Sequence, residues 1–114
     1  MSQDAPSSGL PHMTVAELAG LQGRADAPLL LDVREEPEVA LCRIAGAVHI
    51  PLAQLPLRHG ELPCDRPVVV YCHHGGRSAR AAQWLLQNGH EQVVNLTGGI
   101  DAWAIQVDQT MQRY

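Results

Sequence analysis

Between polar stretches the chain carries short apolar runs at residues 29–33, 46–50, 68–71 and 93–96. Runs of this length, rich in Val, Leu and Ile, fit strands covered on both faces. The segments between them change to helical spacing. After residue 78, Ala81, Ala82, Leu85 and Leu86 form one apolar face and Arg80, Gln83 and Gln87 the opposite one, with Asn88-Gly89 as a left-handed stop. Thr14, with Glu17 three residues on, predicts a capped helix that ends near Gly20 or Gly23. Glu35, Glu36, Pro37 and Glu38 predict the first turn of a short helix, with acids at its positive end. Pro51 closes the second run, residues 52–57 read as a short helix or turn, and residues 58–67 as a surface connection. Thr97-Gly98-Gly99 turns the chain into a final helix over residues 100–111, which carries Trp103. Strands that alternate with helices predict an α/β domain: a mainly parallel central sheet flanked by helices in three layers, with right-handed crossovers.

Composition narrows this picture. The chain has 114 residues, 46% of them hydrophobic and none of them Phe, so one domain with a core of Leu, Val, Ile and Ala is expected. Residues 1–12, rich in Ser, Pro and Asp, read as a flexible tail, and residues 13–114 as the domain. A net charge of -4 and the absence of a basic stripe argue against nucleic acid and against an anionic membrane surface. No apolar run approaches bilayer length. Cys42, Cys64 and Cys72 lack paired metal-type or redox-type spacing, so neither a disulfide framework nor a zinc ribbon is expected. A reducing, cytoplasmic setting fits, since the N-terminus lacks the basic flank and apolar stretch of a leader.

The candidate chemistry gathers at residues 72–78, Cys-His-His-Gly-Gly-Arg-Ser. Cys72 ends one strand and faces the start of a helix, where unpaired backbone N–H groups favour an anion. A thiolate is such an anion. Gly75 and Gly76 give the loop the freedom to turn consecutive N–H groups inward, and Arg77 adds a permanent cation. The residues alone leave a buried, inert cysteine beside a glycine turn as the alternative. Asp32 and Arg34 stand at a strand exit, where a parallel sheet places its sites, although a pair that fixes the turn is the simpler reading. His49 reads as a hydrogen-bonded structural histidine rather than a base.

Four local patterns now stand in order: Leu31-Asp32-Val33-Arg34 with Glu38 following, residues 44–51 (Ile-Ala-Gly-Ala-Val-His-Ile-Pro), residues 72–78, and residues 96–103 (Leu-Thr-Gly-Gly-Ile-Asp-Ala-Trp). On these the chain resembles a single-domain rhodanese, a sulfurtransferase domain, from about Thr14 to Trp103. The resemblance implies that Cys72 takes a sulfane sulfur from a donor such as thiosulfate, becomes a persulfide, and passes the sulfur to cyanide, a thiol or a protein acceptor. It implies that the loop of His73, His74, Gly75, Gly76, Arg77 and Ser78 binds the substrate, with Asp32 and Arg34 in support and with no metal or organic cofactor. Cys42-Arg43 stands where the family often has Gly-His, and Val39 where an aromatic residue usually follows the Glu.

Three other readings compete. Cysteine phosphatases and arsenate reductases also use a Cys-to-Arg loop ahead of a helix, with one residue more than the four found here. The shorter loop suits one extra sulfur better than a tetrahedral oxyanion. A metal site from Cys72, His73 and His74 would need adjacent residues to converge on one ion. A non-catalytic, partner-binding rhodanese-like module usually lacks the cysteine, which this chain keeps.

Overall fold

A computed structural model describes residues 10–114. The tail expected over residues 1–12 lies outside the described residues up to residue 9. Of its last part, Leu10 packs against the core and His12 opens a strand.

In chain order the elements are β1 (His12–Met13), α1 (Val15–Leu21), β2 (Leu29–Asp32), α2 (Glu36–Leu41), β3 (Val48–His49), α3 (Leu55–Arg58), β4 (Val68–Tyr71), α4 (Gly76–Gln87), β5 (Val93–Leu96) and α5 (Gly99–Gln106). Single 3-10 turns, Leu52–Gln54 and His59–Glu61, flank α3. Among the described residues, five strands form one sheet in the order β1-β5-β4-β2-β3, and every pairing is parallel. β4 lies at the centre. Its neighbours are in register at Asp32↔Tyr71 on one side and Val70↔Asn95 on the other.

A central strand must bury both faces, and the two-residue period of β4 decides which core receives each side chain. Val68, Val70 and Cys72 enter a cluster with Leu31, Leu55, Leu62, Ala81, Ala82 and Leu85. Val69 and Tyr71 enter a second cluster with Val15, Leu18, Ile100 and Trp103. The cores therefore sit between the sheet and α3/α4 on one face, and between the sheet and α1/α5 on the other. Cys72 follows the same alternation, so its side chain falls on the α4 side.

Several boundaries differ from the sequence expectation. β1 was not expected; its two residues continue the sheet beyond β5, with His12 opposite Asn95 and Met13 opposite Leu96. β3 keeps only two of the five residues expected for it. α4 begins at Gly76 rather than Ser78, which puts Arg77 in the first helical turn. α5 stops at Gln106, short of residue 111, because the Asp108 carboxylate accepts the Thr110 N–H at 3.1 Å and organises a turn instead. The capping box at α1 forms as its spacing implies. Thr14 Oγ1 accepts from the Glu17 N–H at 3.1 Å, and the Glu17 carboxylate accepts from the Thr14 N–H at 2.8 Å.

Candidate active site

The loop between β4 and α4 wraps the Cys72 sulfur. The Gly75 N–H donates to Sγ at 3.1 Å and the Ser78 N–H at 3.4 Å, while the Ser78 hydroxyl oxygen also lies 3.4 Å from Sγ. Gly75 caps α4 with φ 119, a backbone geometry that L side chains rarely adopt, and this turn aims its N–H at the sulfur. Gly76 contributes differently from the expectation, as the first residue of α4 without a positive φ. Cys72 is 1% exposed, so the sulfur sits at a helix start, among main-chain donors and away from bulk water.

A second helix secures the loop from behind. The Ile100 N–H donates to the Cys72 carbonyl at 2.9 Å and the Asp101 N–H to the His73 carbonyl at 3.0 Å, so the first turn of α5 caps the loop backbone. Gly99 allows that approach, since a Cβ there would fall 2.5 Å from the Cys72 carbonyl oxygen.

Arg77 points to Glu38 on α2. Its two Nη atoms donate to the two carboxylate oxygens at 2.7 and 2.9 Å, a bidentate pair at the rim of the site. The Arg77 hydrogen bonds hold the Glu38 carboxyl at about 2, against the opposing effect of burial. Asp32 and Arg34 form a fully buried ion pair at 2.6 Å. Arg34 also donates to the Glu38 carbonyl at 3.2 Å, the Cys42 carbonyl at 2.7 Å and the Tyr114 hydroxyl at 2.9 Å. The pair thus ties the body and the C-terminal cap of α2 to the exit of β2. His49 Nε2 lies 2.6 Å from the Arg34 carbonyl and donates to it, a structural contact.

His73 and His74 stack with ring centroids 3.9 Å apart and planes 28° apart, and Tyr114 stacks on His73 at 3.9 Å and 8°. Burial, followed by the neighbouring His74, lowers the pKa of His73 below the usual imidazole value, which opposes a cationic role at neutral pH. His73 Nε2 is buried without a hydrogen-bond partner among the described residues. His73, His74 and Asp101 bring one potential ligand atom each within 4.8 Å of one another. Arg113 already holds Asp101 at 3.0 Å, and two of the three ligands are adjacent in sequence, so this cluster fits a metal ion poorly.

Three residues of this site went unread in the sequence. Glu38 enters the sequence reading only as an acid of a first helical turn and as part of the pattern after Arg34, not as the partner of Arg77. Asn95 interrupts the apolar run of β5 and accepts from the Ser78 hydroxyl at 2.5 Å. Tyr114 joins Arg34, Glu38 and His73, and nothing local to it announces this.

A parallel sheet whose central strand delivers a cysteine into the head of a helix defines an α/β protein with a cradled thiol. Residues 14–106 match the family described as Rhodanese-like domain, and the chain belongs to that family. It is 46% identical over 76 residues to a protein named Sulfurtransferase from Allochromatium vinosum, which covers 67% of this chain and 71% of that protein. A crystal structure of a rhodanese-related protein from Thermoplasma volcanium superimposes with a TM-score of 0.78 at 33% identity, covering 85% of this chain and 93% of that one. The thiosulfate sulfurtransferase from Pseudomonas aeruginosa superimposes with a TM-score of 0.79 at 30% identity, covering 94% of this chain and 20% of that longer one.

Proposed function

We propose that this rhodanese-like domain is a sulfurtransferase that carries sulfane sulfur as a persulfide on Cys72, from a donor such as thiosulfate to an acceptor such as cyanide or a thiol. The observation that carries this reading is the pair of main-chain N–H groups, from Gly75 and Ser78, directed at Sγ.

In the first half-reaction the Cys72 thiolate attacks the outer sulfur of thiosulfate. A new S–S bond forms, the S–S bond of thiosulfate breaks, and sulfite leaves with the electron pair. In the second, cyanide attacks the terminal sulfur of the persulfide anion and departs as thiocyanate, which restores the thiolate. Both steps move negative charge across sulfur, and fixed backbone dipoles in a site shielded from water stabilise such charge without reorganising. The helix start of α4 adds to this stabilisation. Arg77, with its side chain 32% exposed, keeps a guanidinium at the rim where an anionic donor would enter. The neutral tendency of His73 leaves that task mainly to Arg77.

Intact-mass measurement after exposure to thiosulfate tests the proposal. The protein is expected to gain one sulfur atom, to lose it on addition of cyanide, and to lose this capacity in Cys72→Ser while Cys42→Ser and Cys64→Ser retain it. A folded protein that never gains sulfur from thiosulfate or another sulfane donor would point to a binding module, and uptake in Cys72→Ser would overturn the assignment of the nucleophile.

A further inference from the structure

Asn95 is a polar residue in the middle of an apolar strand, 8% exposed and flanked by Val93, Val94 and Leu96. Its register opposite Val70 places it beside the strand that leads into Cys72. The Oδ1 atom accepts from the Ser78 hydroxyl at 2.5 Å, and Nδ2 donates to the Gly75 carbonyl at 3.3 Å. The opposite amide orientation would set two carbonyl-type oxygens against each other at Gly75, so the contact fixes which end faces which partner. Its two partners are Gly75 and Ser78, the residues whose N–H groups donate to the Cys72 sulfur.

A valine or leucine would satisfy β5 without needing buried polar partners. The amide instead clamps the cradle at both points where it grips the sulfur. We propose that Asn95 is a positioning residue for Cys72, acting through Ser78 and Gly75 to hold their N–H groups on Sγ. Its side-chain hydrogen bonds go to Ser78 and Gly75 and not to the sulfur or Arg77, so its effect belongs to nucleophilicity and not to donor binding.

This role concerns the nucleophile of the sulfurtransferase reading, but one of its tests is independent of sulfur transfer. Asn95→Leu removes both side-chain bonds at similar volume. Alkylation by iodoacetamide, followed by mass on the Cys72 peptide, is expected to slow about fivefold in Asn95→Leu, and only about twofold when the change is added to Ser78→Ala, because coupled residues are not additive. With thiosulfate, the maximal rate of sulfur loading should fall while the half-saturating concentration stays put. If Asn95→Leu does not fold, Asn95→Val makes the same comparison, since it also removes both side-chain bonds and suits a strand. Equal slowing in both backgrounds would overturn the proposal. So would unchanged alkylation, with or without a lowered melting temperature. Should the unsubstituted protein take up no sulfur, the sulfurtransferase reading fails, while the alkylation rates still decide the role of Asn95.

Discussion

Arg77 answers to two anions, the Glu38 carboxylate it grips and any negative charge that arrives at Cys72. The grip on Glu38 limits how far the guanidinium can turn, and it couples α2 to the first turn of α4. The same contact makes stability depend on acid. Glu38 has its pKa lowered from 4.5 to about 2, first by the Arg77 hydrogen bonds, so the folded state prefers the ionised form. Its contribution is complete above the unfolded value and is lost as pH falls from about 4.5 toward 2. With allowance for the partly exposed arginine, the loss is on the order of 2 kcal/mol. Thermal melts of Glu38→Gln should show a lower melting temperature at neutral pH and a flatter decline through this acid window than the unsubstituted protein. Parallel curves would mean that the pair contributes no net stability.

Among the elements, α5 carries a duty that its sequence only half announced. The residues 96–103 pattern was readable as a turn into a helix, yet the reason for its second glycine lies in the fold. Gly99 has φ 62 and sits against the carbonyls of Cys72 and His73, so a side chain there meets both backbone strain and a backbone clash. Gly99→Ala should lower stability by more than about 3 kcal/mol, the range of clashes that no flexible side chain can relieve. Denaturant unfolding measures this. A loss under about 1 kcal/mol would show that α5 can retreat from the loop at little cost. The strands β2, β4 and β5 were legible because each is an apolar run buried on two faces. β1 was not, since two residues after a proline carry no period, and the end of α5 was missed because a local Asp108 turn outcompeted continued helix. At the site, Cys72 and its loop were legible as one contiguous stretch. Glu38, Asn95 and Tyr114 reach the loop across 39, 17 and 41 positions, counted to Arg77, Ser78 and His73, and only the folded sheet brings them there.

At the scale of the molecule, the sheet separates two cores with different duties. Leu85, on α4, lies in the core shared with Cys72, whereas Leu18, on α1, lies in the core across the sheet. Both side chains are fully buried. Leu18→Ala and Leu85→Ala are each expected to cost about 2–5 kcal/mol in unfolding free energy. Cys72 alkylation under conditions where both variants remain folded should separate them, with slowing confined to Leu85→Ala. Similar slowing in both would indicate that the sheet transmits strain between its faces. The outer rows of the sheet carry another consequence. Among the described residues its two margins are β1 and β3, each only two residues long, so they offer an incoming chain very few free N–H and C=O groups to pair with. Edge-to-edge templating between copies needs a longer ladder, and these brief margins work against growth of the sheet into fibrils.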